Sequence, residues 1–151
     1  MQRDRQVWVF NAVHFQGNPK WLFLHVLRHR ADIEAWWLAD DADQAATVRD
    51  LGLPAVARED ADAAAIMQRA GVWVVNQVKE VIPPELRGVV MLNLWHGVGV
   101  KNIERSMTEG YLLERIARKY VVNSQAYHDT QLFLVSSPLM ESHFAAQVGL
   151  E

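Results

Sequence analysis

Cysteine is absent from the 151-residue chain, which excludes disulfide bonds and thiolate metal sites. No apolar run approaches the roughly 18 residues that a membrane-spanning helix needs, and we expect no signal peptide because residues 1–5 lead straight into a strand. Neither sign of charge dominates, since 15 Lys and Arg face 18 Asp and Glu. The resulting net charge of −3 gives no general attraction to nucleic acid. This composition fits a cytoplasmic protein.

Strand and helix patterns alternate along the chain, and half of its residues are hydrophobic. This order predicts one α/β domain over residues 1–151, with a Rossmann-like, mostly parallel sheet and helices on both faces. The predicted strands lie at 6–11, 33–38, 55–57, 72–76, 89–95 and 132–136. The predicted helices lie at 19–29, about 40–51, 60–70, 108–120 and 138–148, with a single turn at 84–87.

Local signals set the predicted helix ends. Asn18 is predicted to cap the first helix, with Pro19 at its first position. Gly52 is predicted to end the second helix, and Gly71 follows the third. The six tryptophans are many for this length, and we predict that they are core residues.

One histidine stands where a buried strand meets a glycine turn. The run Val89–Leu92 is apolar and β-prone, Gly97 and Gly99 interrupt it, and a helix-compatible segment follows from Lys101. Ligands of open α/β sheets bind outside the carboxyl ends of the strands. His96 is therefore a candidate general base, because an imidazole titrates near pH 6.5. The alternative is a histidine that only hydrogen-bonds a loop carbonyl.

Three segments also carry a family resemblance: residues 93–97 with Lys101, residues 7–11 with 17–23, and residues 134–137 with Phe144. In this order they resemble the CDP-glycerol glycerophosphotransferases, which build teichoic acids and related poly(glycerol phosphate) polymers. The family's Thr-Pro after the glycine is Val98-Gly99 here, so a role for that threonine hydroxyl is not carried over.

The resemblance implies that the chain is the N-terminal, acceptor-side half of a two-domain, glycosyltransferase-B-like enzyme without a cofactor. The donor, CDP-glycerol, would bind chiefly to a second domain beyond this chain. His96 would deprotonate the terminal hydroxyl of a glycerol-phosphate or polymer acceptor, whose oxygen then attacks the β-phosphorus and expels CMP. Relatives act at the inner membrane surface, so peripheral membrane contact through Arg115, Arg118 and Lys119 is an alternative to a solvated basic face.

Further candidates for substrate binding lie in the predicted loops. His14, Asn18 and Lys20 follow the first strand, although Asn18 is also a helix cap and Lys20 an ordinary surface lysine. Ser136 and Ser137 follow the last strand, and Ser137 before Pro138 is also a good cap.

Gly97, Gly99 and Lys101 would admit an acceptor phosphate at a helix N-terminus. The same loop mimics a dinucleotide-binding Gly-x-Gly-x-x-Gly, but Asn102 stands in place of the third glycine. His25 and His29 have the four-residue spacing of zinc ligands without the glutamate of His-Glu-x-x-His, so we expect no metal.

Two other functions remain open on sequence grounds. The chain could be a stand-alone Rossmann-like module that binds a nucleotide or phosphorylated sugar without catalysis, or a non-catalytic interaction domain.

Overall fold

A single parallel sheet organises the chain in the computed structural model, which describes residues 2–77, 82–97, 109–110, 113–122 and 131–149. Within these residues the strands are β1 (Asp4–Phe10), β2 (Glu34–Ala39), β3 (Ala55–Ala57), β4 (Ala70–Val75), β5 (Val90–Asn93) and β6 (Gln131–Phe133). They lie in the order β3-β2-β1-β4-β5-β6, and every neighbouring pair is parallel. This is the doubly wound, Rossmann-like order, which confirms the predicted fold class.

Helices cover both faces of the sheet. Those in the described residues are α1 (Gly17–His29), α2 (Ala42–Asp50), α3 (Ala63–Arg69), α4 (Leu113–Val122) and α5 (Pro138–Phe144), which continues as a π-helical segment, Ala145–Gly149. A single 3₁₀ turn, Pro84–Leu86, precedes β5, as predicted. Buried residues of α1 and α2 pack on one face, and those of α3, the 3₁₀ turn and α5 pack on the other.

The central strands are apolar on both faces because helices cover both. In β1, Val7 and Val9 join the α3 side of the core, whereas Phe10 joins the α1 side. Trp37 and Trp73 are almost completely buried on opposite faces. Such two-sided burial is what a parallel sheet requires of its central strands.

The core prediction for the tryptophans is wrong for Trp21, which is 65% exposed. It lies on α1, whose inward face is formed instead by Pro19, Phe23 and Val26. A helix of 3.6 residues per turn cannot also direct position 21 toward the sheet.

The predicted ends of β3 are confirmed. α2 spans Ala42–Asp50 instead of the predicted 40–51, and Gly52 lies just beyond its C-cap, Leu51, with a φ of +73°. The third helix is shorter than predicted, because α3 begins at Ala63 and the chain is already in β4 at Ala70. Gly71 therefore lies in a strand and does not end a helix. The predictions for residues 98–108 and 123–130 fall outside the described residues.

Arg3 ties several segments together at the amino-terminal edge of the sheet. Its guanidinium donates to the carbonyls of Met67 and Ala70, where α3 meets β4, at 3.2 and 2.9 Å. It also donates to the carbonyls of Glu85 and Arg87 ahead of β5. Over the described ranges, no helix is both long enough and apolar enough to cross a membrane.

Candidate active site

The loops that follow β1, β5 and β6 open on one edge of the sheet, since all six described strands run in the same direction. His14, Asn18, His96 and Ser136 belong to these loops or to the helix start that follows. The strand order reverses between β1 and β4, which makes this edge the usual place for a ligand in such folds. The predicted site residues that are described thus share one edge.

Two residues with positive φ build the turn that carries His96. β5 ends at Asn93, Trp95 has a φ of +52°, and Gly97 has a φ of +79°. Bulky side chains rarely adopt the left-handed region, so such an outlier points to a functional constraint. His96 lies exposed between the two.

The ring of His96 stacks on the indole of Trp95, with centroids 4.7 Å apart and 15° between the planes. Trp95 is 9% exposed and packs against Phe133 of β6 and Phe144 of α5. The histidine therefore lies at the surface on a tryptophan that belongs to the core.

The predicted helix cap at Asn18 is wrong. α1 begins at Gly17, two residues before the predicted start at Pro19; the φ of Gly17 is +71°, and Gln16 is the N-cap. Asn18 lies in the first turn instead, and its Nδ2 donates to the carbonyls of Leu94 and Trp95 at 3.2 and 2.9 Å. The side-chain amide of Asn18 thus hydrogen-bonds the turn that carries His96.

Asparagines end three adjacent central strands, and none of them is among the predicted site residues. Asn11 follows β1, Asn76 follows β4 and Asn93 ends β5. Asn11 and Asn93 are fully buried. Asn11 donates through Nδ2 to the carbonyl of Leu38 at 2.8 Å. The signal in the sequence is an amide directly after each apolar run.

Each of these three side-chain amides has one buried atom that makes no hydrogen bond with the described residues. The atoms are Oδ1 of Asn11, Oδ1 of Asn76 and Nδ2 of Asn93. Buried amide atoms are normally paired, because leaving one without a partner is costly. The floor of this edge is therefore polar where a core would be apolar.

His14 and Lys20 interact with groups outside the turn of His96. His14 is exposed, and its charge acts on Asp41, the N-cap of α2. The pKa of Asp41 is lowered chiefly by the hydrogen bond that it accepts from the Gln44 N–H, and the charge of His14 acts in the same direction. The ammonium of Lys20 lies 5.0 and 5.2 Å from the ring centroids of Phe15 and Trp21, in cation–π contact.

The two serines differ in position. Ser137 caps α5, because its Oγ accepts from the Met140 N–H at 3.3 Å, so the capping interpretation is confirmed. Ser136 is exposed beside it. Gly99 and Lys101 lie outside the described residues.

Among the residues with a described placement, no three His, Asp or Glu side chains are grouped as metal ligands would be. The rings of His25 and His29 lie 4.6 Å apart on the exposed surface of α1, where the spacing of the sequence places them.

Comparison with known proteins decides the family. The sequence model of one protein family, the CDP-glycerol:poly(glycerophosphate) glycerophosphotransferases, matches residues 1–150. The chain belongs to this family. A curated relative, the teichoic acid poly(glycerol phosphate) polymerase of Bacillus subtilis (strain 168), is 24% identical over 114 residues, which are 76% of this chain.

The fold of this glycerophosphotransferase family member is also that of solved structures. The wall teichoic acid polymerase TagF matches 99% of the chain with a TM-score of 0.74 at 16% identity. A TagF variant soaked for 30 minutes with CDPG matches 99% with a TM-score of 0.73 at 15% identity. The chain spans 15% of the length of the Bacillus relative and 37% of the TagF chain.

Proposed function

We propose that this chain is the acceptor-side domain of a glycerophosphotransferase that moves glycerol phosphate from CDP-glycerol to a glycerol-phosphate or polymer acceptor. The observation that carries the proposal is the turn after β5, which holds an exposed His96 at the ligand-binding edge in a chain of this family. A second, donor-binding domain of the glycosyltransferase-B type would face this edge.

His96 acts as the general base in this proposal. Its imidazole takes the proton of the terminal hydroxyl of the acceptor as the oxygen attacks the β-phosphorus of CDP-glycerol. A new P–O bond forms to the acceptor, the bond between the two phosphates breaks, and CMP leaves. The exposed ring supports this role because a substrate hydroxyl must come within hydrogen-bond reach of the base.

Other residues at the edge would bind the acceptor. Gly97 is exposed, and no atom of the described residues lies within 4 Å of the position that a Cβ would take there. Ser136 and His14 are exposed at the same edge, on either side of the turn. We retain Gly99 and Lys101 as proposed phosphate contacts from the sequence alone. Asn18, Lys20 and Ser137 are engaged within the chain and are weaker candidates for direct contact.

We further propose a cytoplasmic location with peripheral contact to the inner face of the membrane. The support is α4, where Arg115 and Arg118 are both exposed and lie three positions apart. Such a surface favours anionic lipid headgroups.

The test of the function uses two proteins. The first is the 151-residue chain, which should release no CMP from CDP-glycerol in the presence of a lipid-linked acceptor. The second is a longer glycerophosphotransferase that carries this sequence together with a donor domain. There, His96→Ala and His96→Gln should each lower the rate of CMP release by roughly 10² to 10⁴-fold.

The control is His25→Ala, which removes an exposed histidine from α1 and should leave the rate unchanged. Thermal melts should agree among all variants, since neither histidine fills the core. Near-normal CMP release by a stably folded His96→Gln enzyme would contradict the proposal. Sustained turnover by the 151-residue chain alone would contradict the assignment of the donor site to another domain.

The binding-module alternative is distinguished by titration. A module that binds nucleotides would bind CDP-glycerol through the 151-residue chain itself. The acceptor-side proposal expects NMR shifts at His96 and Gly97 with a short glycerol-phosphate oligomer and much weaker ones with CDP-glycerol.

A further inference from the structure

Every backbone polar group of Leu94 and Trp95 has a hydrogen-bond partner. The Leu94 N–H donates to the carbonyl of Val75 at 2.8 Å, and the Trp95 N–H donates to Oδ1 of Asn93 at 3.0 Å. Both carbonyls accept from Nδ2 of Asn18. The two residues before His96 are therefore fixed from three directions, by β4, by β5 and by α1.

The contact from Asn18 joins segments that are distant in the sequence. Asn18 precedes Leu94 and Trp95 by 76 and 77 positions. It stands in the first turn of α1, whereas the N-cap residue, Gln16, makes no side-chain cap bond. An asparagine near a helix start usually hydrogen-bonds the backbone of its own helix. The amide of Asn18 instead hydrogen-bonds the turn after β5.

The hydrogen bonds hold a conformation that the backbone alone would not favour. Trp95 has a φ of +52°, which costs energy for a bulky side chain and persists only when its surroundings fix it. Asn93 binds the N–H of that residue and Asn18 binds its carbonyl. The direction in which the chain leaves Trp95 sets where the ring of His96 lies on the indole.

We propose that Asn18 and Asn93 are positioning residues for His96, acting through the backbone of Trp95. This inference rests on the proposed function for its catalytic consequence, but its structural part concerns the placement of the His96 ring alone. Asn18 provides the sharper test of the two. It is exposed, so its replacement leaves no cavity, whereas Asn93 is fully buried and its variants risk misfolding.

The decisive variant is Asn18→Asp, which keeps the shape of the side chain but replaces the donor Nδ2 by an acceptor. The carboxylate would then face two carbonyl oxygens and repel them. In the first turn of α1 a negative charge is favourable, so the helix itself should form normally. The turn is disturbed while the helix is maintained.

The spectroscopic test uses the 151-residue chain. In the parent protein the side-chain protons of His96 should show an upfield ring-current shift from the stacked indole of Trp95. Asn18→Asp and Asn18→Ala should each reduce that shift by at least half. Arg3→Ala is the control, because it removes backbone hydrogen bonds at the opposite edge of the sheet and should lower the melting temperature without moving the His96 signals. Unchanged His96 signals in both Asn18 variants would overturn the proposal.

The kinetic test uses the longer glycerophosphotransferase. Misplacement of a catalytic group by about 1 Å can cost up to roughly 10²-fold in rate. Asn18→Asp should therefore lower kcat by about 10 to 100-fold while KM changes by less than about threefold. A loss in KM alone would overturn positioning and make Asn18 a direct acceptor contact. If His96→Ala is fully active while the Asn18 variants still move the His96 signals, the proposed function fails and the structural part of this inference stands.

Discussion

Trp95 packs edge-on against Phe144, with ring centroids 5.0 Å apart, while the ring of His96 lies stacked on the same indole at the surface. The candidate base is thus joined to α5 and to the core of the sheet through one indole. Packing beneath the site and the position of the base are therefore coupled.

The first prediction concerns that indole. Trp95→Ala should lower the free energy of unfolding by about 3–5 kcal/mol, because it removes a large buried aromatic side chain. Urea unfolding followed by circular dichroism measures the loss.

Trp21→Ala is the matched control, since it removes the same side chain from an exposed position. Its effect should stay within about 0.5 kcal/mol, as for most surface substitutions. Equal losses in the two variants would show that Trp95 is not the buried anchor that the packing indicates.

The second prediction concerns Gly71 in β4. A Cβ atom at this position would lie 2.5 Å from the carbonyl oxygen of Asp4 and 2.7 Å from Cα of Arg5, both backbone atoms of β1. Neither can move without breaking the pairing of the two central strands. Gly71→Ala should cost about 3 kcal/mol or more, at the upper end of the usual cost of overpacking.

Gly52 gives the comparison, because its φ is +73° and a Cβ there would meet no described atom within 4 Å. Gly52→Ala should cost about 1–2 kcal/mol from backbone conformation alone. Asparagine tolerates this conformation, so Gly52→Asn should recover part of the loss and Gly71→Asn should recover none. Denaturant midpoints of the four variants test this, and a benign Gly71→Ala would refute the close approach.

The third prediction concerns acid stability. Asp41 caps α2 through the Gln44 N–H, and this hydrogen bond lowers the pKa of its carboxyl in the folded state. Since the unfolded value is about 3.9, the ionised cap stabilises the fold above that pH and its contribution disappears as pH falls through the lower, folded pKa.

Asp41→Asn keeps the accepting oxygen but does not titrate. The melting temperature of the parent should exceed that of Asp41→Asn at neutral pH, and the difference should shrink steadily below about pH 4. Asp32 and Glu34, whose pKa values are also lowered, titrate alike in both proteins. A difference that is independent of pH would refute the role of the charge.

Periodicity and turn residues predicted much of the fold. The short strand at Ala55–Ala57, the helix ended by Gly52 and the turn at Pro84–Leu86 carry strong local signals, and the structure agrees with them. The start of β4 was missed because Ala70 and Gly71 resemble the end of an alanine-rich helix. What makes the strand begin there is the close approach of β1, a contact with a distant segment that local propensity does not contain.

In the site, too, features set by local sequence were predictable, and features set by contacts between distant segments were not. The position of His96 at a strand end is a local pattern and was predictable. The contact of Asn18 with Trp95 was not, because a good capping residue beside Pro19 indicates a cap on its own helix. The amides after β1, β4 and β5 were visible in the sequence, but their proximity depends on a strand order that only the tertiary structure supplies.

The central pairing of the sheet joins β1 to β4, with Val9 opposite Trp73. Two complete strand–helix units, β2 with α2 and β3 with α3, lie between these partners in the chain. Formation of the middle of the sheet must therefore wait for a long loop to close, which is slow compared with helix formation. During that interval the edge of β1 that later pairs with β4 is open to pairing with another chain. Aggregation during refolding should thus depend steeply on protein concentration, and the sheet edge that carries the candidate site, which spans β1 and β4, should be among the last features to appear.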